Sequence, residues 1–152
     1  MSLRNILAPG HALYGVQGAS KKRTLEYIAN IISQRQPGLD AKELFNQLVT
    51  REKFGSTGLG NGFALPHCRV ANCEEPQAVF LRLAKPIDFD AIDKKPVDLV
   101  FALVVPEHET ERHLDFLRQI AEQFSNDSLC EQLREADSSE TLYRLLTAKV
   151  TA

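Results

Sequence analysis

Apolar residues recur at helical spacing in the first third of the chain. After Ser20, a plausible N-cap, the spacing predicts an amphipathic helix that runs to about Gln34 and ends before Pro37-Gly38. Asp40, followed by Glu43 in a capping-box arrangement, begins a second helix. The apolar positions of the two helices are Leu25, Ile28, Ala29 and Ile32, then Ala41, Leu44, Phe45 and Leu48. One face of each helix is therefore expected to pack on a core.

Two segments rich in β-branched and aromatic residues predict strands. The first, Gln77–Leu83, is expected to close at Pro86. The second, Val97–Val105, is a nearly continuous apolar run that stops at Pro106. Such a run is typical of a strand that is covered on both faces. Between the two strands, Ile87–Pro96 is expected to form a polar connection.

The N-terminal segment has no regular period. It suggests a short helical turn over Leu3–Leu7, a turn at Pro9-Gly10 and a short edge strand over Leu13–Val16.

Helical spacing returns in the last third of the chain. A long helix is predicted from Glu109, and Asn126–Ser128 breaks and caps it. Its apolar face comprises Leu114, Leu117, Ile120, Ala121 and Phe124. Leu129–Arg134 predicts a short helix, and Ser138 or Ser139 opens a last one. Helices thus flank central strands on both sides, which indicates a three-layer α/β/α sandwich.

Composition and charge are those of a single globular domain, expected to span residues 1–152. The chain is 43% hydrophobic and 25% charged, which is ordinary for soluble proteins. A net charge of −2, with basic and acidic residues interspersed, argues against nucleic acid as a partner. No apolar stretch approaches the roughly 18 residues of a membrane span, and the N-terminus does not resemble a signal peptide. We therefore expect a cytoplasmic protein without membrane insertion.

Four of the eight glycines lie between Arg51 and Arg69, at positions 55, 58, 60 and 62. Such a loop lets backbone N–H groups converge on an anion, because glycine has no Cβ in the way. The nucleotide P-loop pattern fails, since Asn61 and Gly62 stand where it needs lysine and a hydroxyl. The dinucleotide pattern fails at Phe63, which replaces its third glycine. A phosphate-receiving loop and a purely structural cluster of turns remain as alternatives.

His67 favours the phosphate interpretation. Near neutral pH an imidazole is substantially neutral and nucleophilic, so it accepts a phosphoryl group without a metal or a separate base. Pro66 has a fixed φ, so the backbone directly before the His67 ring is rigid. A second histidine could assist: His108 and His113 lie at the start of the long helix, whereas His11 is taken as a surface residue.

The cysteines predict neither a disulfide framework nor a metal site. Their number is odd, at three. Cys68 and Cys73 with His67 offer three zinc ligands, but no fourth ligand stands at finger-like spacing. We expect reduced thiols, no metal and no cofactor.

The glycine–histidine stretch closely resembles the phosphorylation-site motif of enzyme IIA domains in the phosphoenolpyruvate-dependent phosphotransferase system. The matching residues are Arg51–Lys53 and Gly55–His67. Within the fructose/mannitol type of these domains, the sequence is most similar to the nitrogen-regulatory enzyme IIA group. The resemblance extends over most of the chain and includes Pro86–Asp93, Pro96–Leu99, Phe101–Pro106 and His113-Leu114.

The resemblance implies a mixed sheet between helical layers and a phosphocarrier activity. His67 would be phosphorylated on Nε2, receiving the group from an HPr-like phosphocarrier (NPr). His113 matches a second active-site histidine, and Arg51 matches an arginine whose guanidinium suits phosphate oxygens. Three residues of the loop are expected to bind the phosphate as well: Thr57, Asn61 and Gly62.

One position departs from the family pattern. The family usually has glycine directly after the active histidine, and this chain has Cys68. A thiol beside the reactive ring would be a redox liability if its pKa were depressed. We expect it to be tolerated and inert.

Three functional hypotheses follow from the resemblance. The first is a regulatory phosphocarrier of the nitrogen-related branch, whose phosphorylation state changes its binding to targets such as potassium-transport regulators or sensor kinases. The alternative is a stand-alone fructose/mannitol-type subunit that passes phosphate to a membrane permease component. The third is a binding module that keeps the fold and takes no phosphate.

Overall fold

Residues 5–148, the part of the chain that the computed structural model describes, form six strands and five helices. In chain order these are β1 Leu7–Val16, α1 Lys21–Arg35, α2 Ala41–Lys53, β2 Gly58–Gly60, β3 Phe63–Ala64, β4 His67–Val70, β5 Gln77–Ile87, β6 Val97–Pro106, α3 Thr110–Phe124, α4 Asp127–Glu135 and α5 Ser139–Thr147.

The helix starts predicted from N-cap residues are confirmed. The side chains of Ser20, Asp40, Asn126 and Ser138 each accept a hydrogen bond from the backbone N–H three residues further on. Each bond satisfies one of the donors that a helix leaves without a partner in its first turn. Of the two serines proposed to open the last helix, Ser138 is the cap.

The sheet is mixed, with β5 and β6 as antiparallel neighbours at its centre. β1 lies beside β5 and runs parallel to it. On the other side of β6, β3 and β4 follow one another, and both are parallel to β6. β2 pairs antiparallel with β3 at the far edge. The mixed sheet between helical layers is confirmed.

Alternate residues of β6 face the two helical layers. Val100, Ala102 and Val104 belong to the core formed with α1 and α2. Leu99, Phe101, Leu103 and Val105 belong to the core formed with α3, α4 and α5. Every residue of β6 except Asp98 is buried. The strand is therefore covered on both faces, as its continuous apolar run predicts.

The N-terminal segment differs in part from its prediction. Leu13–Val16 lies in an edge strand, as expected, but that strand already begins at Leu7. Pro9-Gly10 is not a turn, because β1 passes through it with its register to β5 shifted between Leu7 and Ala12. Such an irregularity accommodates a proline, which has no N–H for the ladder. Residues 3 and 4 of the helical turn predicted over Leu3–Leu7 lie outside the described residues.

One further strand boundary was wrong in the prediction, and three short strands were not predicted. Pro86 does not close β5, which continues to Ile87 beyond a register shift that begins after Arg82. The glycine-rich stretch contains the short strands β2 and β3 and leads directly into β4. Its glycines carry no alternating apolar pattern, so periodicity could not predict these strands.

Candidate functional site

His67 is the first residue of β4, which pairs with β6 on one side and with no other described strand. Cys68 and Val70 belong to the core of α1 and α2. Because side chains alternate along a strand, His67 and Arg69 face the opposite layer, that of α3. The His67 ring lines an open depression of about 520 Å³ between the end of α2 and the start of α3.

Two hydrogen bonds fix the proton of the His67 ring. Nδ1 lies 2.7 Å from the carbonyl oxygen of Leu65, so it carries the hydrogen and donates it. Nε2 accepts a hydrogen bond of 3.2 Å from Nε of Arg51. Both contacts require the Nδ1–H tautomer. The Nε2 lone pair is therefore directed towards Arg51, which lines the depression together with His67.

The environment of His67 favours the neutral ring. Burial lowers its pKa below the ordinary 6.5, and the Arg51 guanidinium lowers it further. The bond to the Leu65 carbonyl and the carboxylate of Glu52 act in the opposite direction. The net lowering keeps the ring uncharged at neutral pH, which leaves Nε2 nucleophilic.

His113, in the first turn of α3, is brought to His67. The two ring centroids lie 5.3 Å apart, with the planes tilted by 49°. His113 is only 7% exposed, and its Nδ1 has no hydrogen-bond partner within the described part of the chain. Burial lowers its pKa to about 4, and the positive charge that His67 carries once it is protonated at lower pH, followed by those of Arg69 and Arg51, acts in the same direction. A neutral ring so placed can donate one N–H to an oxygen atom of a group that is bound to Nε2 of His67. Of the histidine alternatives, neither His108 nor His11 lines the depression.

Two arginines border the site from different elements. Arg51, in the last turn of α2, holds His67 through Nε and donates from Nη1 to the carbonyl oxygen of Gly55 at 2.9 Å. Arg69 lies two residues after His67 and donates to Oγ1 of Thr110 at 2.8 Å, which ties β4 to the start of α3. Sequence reasoning missed Arg69. Its position at i+2 on a strand, hence on the same face as His67, was the available signal.

The predicted phosphate ligand Thr57 is bonded to Glu52. Its hydroxyl donates to Oε2 of Glu52 at 2.5 Å, and its backbone N–H donates to Oε1 at 3.1 Å. Thr57 is 2% exposed and does not line the depression. A role in binding phosphate stays a prediction for this residue.

The other two predicted phosphate ligands, Asn61 and Gly62, lie at the turn between β2 and β3. The N–H of Asn61 donates to Asp93 at 3.0 Å, and its carbonyl oxygen accepts from Nη2 of Arg134 at 2.5 Å. Gly62 precedes Phe63, which is paired with Leu99, whereas His67 is paired with Leu103. Four residues of strand separate the two pairs, roughly 13 Å. The structure therefore does not bring this turn to His67, and phosphate binding there stays a prediction.

Two glycines of the stretch are required by close packing. A Cβ on Gly58 would lie 2.8 Å from Cβ of Ala91, so the segment after β5 could not sit against β2. Gly62 has φ of +77°, and a Cβ there would lie 2.5 Å from Nη2 of Arg134. Arg134 also binds Asp98 through Nε at 3.0 Å. The glycines thus serve the packing that holds the stretch in place.

Cys68 points away from the reactive ring. It is 7% exposed within the core of α1 and α2. Burial, with a smaller contribution from Cys73, raises the pKa of its thiol to about 12. A redox-active thiolate beside His67 would need the opposite shift. The expectation of an inert thiol thus agrees with its surroundings.

Residues 5–148 contain neither a metal-binding cluster nor a helix that could span a membrane. No group of three or more histidine, cysteine, aspartate or glutamate residues is arranged to hold a metal ion there. In the same range, every helix is too short or too polar to cross a bilayer.

Comparison with known proteins identifies the family. The profile described as "Phosphoenolpyruvate-dependent sugar phosphotransferase system, EIIA 2" matches residues 5–149. The chain belongs to this family. The nitrogen regulatory protein of Pseudomonas aeruginosa is 50% identical over 144 residues, which cover 95% of this chain and 94% of that protein. The predicted similarity to the nitrogen-regulatory group is confirmed.

Solved structures agree with this assignment. The crystal structure of the nitrogen regulatory protein IIA-Ntr from Neisseria meningitidis has 40% sequence identity and a TM-score of 0.88, covering 94% of this chain and 97% of that one. IIA mannitol from Escherichia coli has 18% identity and a TM-score of 0.73, covering 90% and 96%, and shows the shared fold alone. Members of this family are phosphotransferase components that take phosphate from HPr-like carriers.

Proposed function

We propose that this protein is a phosphocarrier of the nitrogen-related branch of the phosphotransferase system. It accepts a phosphoryl group on Nε2 of His67 from an HPr-like carrier, and its phosphorylation state regulates target proteins. One observation carries this proposal: Nδ1 of His67 is committed to the Leu65 carbonyl, so the lone pair is on Nε2, beside Arg51. The high identity to nitrogen regulatory proteins supports the choice of branch.

The transfer step needs no base. The hydrogen bond from Nε of Arg51 to Nε2 of His67 breaks first, which frees the Nε2 lone pair. That lone pair attacks phosphorus, the P–N bond of the donor phosphohistidine breaks, and the donor nitrogen keeps the electron pair. The ring proton stays on Nδ1, bonded to the Leu65 carbonyl. A loose transition state of this kind asks for in-line positioning and for donors to the equatorial oxygens. Arg51 and His113 are the groups that supply such donors at this position.

The surroundings of His67 suit a protein donor better than a small molecule. The depression is open, and two large apolar side chains at its border are exposed to solvent: Phe54 by 85% and Leu114 by 60%. Exposed apolar side chains of this size around a polar centre are typical of protein-binding surfaces. A carrier could cover them while its phosphohistidine reaches Nε2 of His67.

The proposal is tested by incubation with phosphoenolpyruvate, enzyme I and HPr-type carriers. The wild type should gain one acid-labile phosphoryl mass, the nitrogen-branch carrier should be the preferred donor, and His67→Ala should gain nothing. We expect His113→Ala to be phosphorylated more slowly with its fold intact, and an unchanged rate would remove His113 from the site. Absence of labelling of the wild type by any carrier would overturn the phosphocarrier function.

A further arm of the same experiment separates regulator from sugar carrier. Phosphorylated protein is mixed with permease components of the fructose and mannitol type and their sugars. The regulatory function predicts that the phosphoryl group stays on the protein, and that phosphorylation changes its binding to isolated targets. Onward transfer to a sugar would instead establish the sugar-specific role.

A further inference from the structure

Glu52 is a buried carboxylate whose bonds lead to the reactive ring. Its side chain is only 6% exposed, at the end of α2 and next in sequence to Arg51. We propose that Glu52 is a positioning residue that sets the tautomer of His67. The inference rests on the proposed function of His67 as phosphoryl acceptor.

The connection runs through two short segments of chain. Both carboxylate oxygens of Glu52 accept from Thr57, one from its N–H and one from its hydroxyl. The carbonyl oxygen of Thr57 accepts from the N–H of Leu65 at 2.9 Å. The carbonyl oxygen of Leu65 then accepts from Nδ1–H of His67 at 2.7 Å. Glu52 therefore holds the segment that orients the acceptor of the ring proton.

Lys21 supplies the charge that Glu52 requires. Its Nζ lies 3.0 Å from Oε1 of Glu52 and 3.4 Å from Asp90, and it stands 5.0 Å from the ring centre of Phe89. A buried carboxylate without a cation would be costly to desolvate. With Lys21 and the two bonds to Thr57, each Glu52 oxygen has a partner. The carboxylate is thus fixed in place.

Displacement of Thr57 would change which nitrogen of the His67 ring carries the proton, and so would affect phosphoryl transfer. If Leu65 moves, Nδ1–H loses its acceptor and the Nε2–H tautomer becomes populated, since the partner of one ring nitrogen decides which carries the proton. A proton on Nε2 occupies the lone pair that must attack phosphorus. A shift of about 1 Å in such a support can reduce a rate by on the order of a hundredfold.

The test compares Glu52→Gln with Glu43→Gln, a matched change at an exposed carboxylate on the same helix. Histidine labelled with ¹⁵N reports the tautomer of His67 by long-range proton–nitrogen correlation in the unphosphorylated protein. Phosphorylation is followed both with the carrier and with phosphoramidate, a small chemical donor that needs no docking surface. Thr57→Val and Thr57→Ser form a second pair. Thr57→Val removes the hydroxyl and Thr57→Ser keeps it, and neither variant changes a residue of α2.

We expect Glu52→Gln and Thr57→Val to show an increased Nε2–H population at His67. Their phosphorylation rates should fall by roughly ten- to a hundredfold with both donors, while KM for the carrier is unchanged. Glu43→Gln should match the wild type, and Thr57→Ser, which keeps the hydroxyl, should restore the His67 tautomer that Thr57→Val loses. Lys21→Met should follow Glu52→Gln, whereas Lys22→Met, at an exposed neighbour, should not.

Three results would overturn the inference. These are a slower rate with a wild-type tautomer in both Glu52→Gln and Thr57→Val, a changed tautomer with a wild-type rate in both, or a wild-type tautomer and a wild-type rate in both. If Glu52→Gln does not fold, the Thr57 pair decides. If the wild type accepts no phosphoryl group from either donor, the proposed function fails, and the tautomer measurement still decides whether Glu52 positions His67.

Discussion

The lowered pKa of His113 makes the stability of the fold depend on pH in a predictable direction. Its pKa is about 4 in the folded protein, against an ordinary value of 6.5. Above the ordinary value both folded and unfolded states keep the ring neutral, so the group contributes nothing to the pH dependence. As the pH falls from 6.5 towards 4, the His113 ring becomes protonated in the unfolded state but stays neutral in the folded state. The folded state therefore loses stability across this range.

The size of the effect follows from the same two values. A difference of 2.5 pKa units, from 6.5 to about 4, corresponds to about 3 kcal/mol when fully developed. Part of the lowering comes from neighbouring positive charges at an open depression, where solvent screens them. We therefore expect about 2 kcal/mol at about pH 4.5.

Urea unfolding of His113→Gln measures this contribution, because glutamine cannot take up the proton. Between about pH 7.5 and about pH 4.5 the wild type should lose about 2 kcal/mol more unfolding free energy than the variant. His108→Gln, at an exposed histidine just before α3, should follow the wild type. Parallel pH profiles for His113→Gln and wild type would show that the ring is not held neutral by its surroundings.

Three further predictions concern packing, the thiol and the docking surface. Gly62→Ala should lower the unfolding free energy by about 2 kcal/mol or more, because alanine is strained at positive φ and its Cβ meets Arg134. A loss of less than about 0.5 kcal/mol in urea unfolding would contradict this prediction. Cys68 should react with a thiol reagent at neutral pH only after urea unfolding, since burial raises its pKa to about 12, and modification of the native protein within minutes would be the opposite result. Phe54→Ser should raise KM for the carrier with unchanged stability, because Phe54 is exposed at the border of the depression where the carrier would dock. Ile92→Ser, at a residue 82% exposed outside the depression, should leave KM unchanged, and equal KM values for the two variants would exclude Phe54 from the docking surface.

Much of the fold could be predicted from sequence because its signals are local. Ser20 and Asp40 cap helices through bonds to residues three positions away, so a short pattern contains the whole interaction. The apolar run of β6 predicts its burial for a similar reason. Pro9-Gly10 and Pro86 misled the prediction, because proline does mark a break in hydrogen bonding, but a sheet accommodates that break within a strand by a register shift.

The site was predictable only in part. His67, Arg51 and His113 came from the family motif, and the structure brings these three together. Glu52 stands beside Arg51 in the same motif, yet its role depends on a bond to Thr57 and on Lys21 from another helix. No spacing rule links those positions, because their proximity is produced by tertiary packing.

The position of His67 at the edge of the sheet has a consequence for the phosphorylated state. Arg51 reaches the ring from the α1/α2 layer, whereas His113 reaches it from the layer of α3. A phosphoryl group on Nε2 would accept hydrogen bonds from both Arg51 and His113. This single anion would thereby link two helical layers that otherwise lie on opposite faces of the sheet. Phosphorylation should then slow local opening of the end of α2 and the start of α3 together, and hydrogen exchange at these two helix ends would change as one unit. A target protein that contacts both ends could thus distinguish the two states by rigidity as well as by charge.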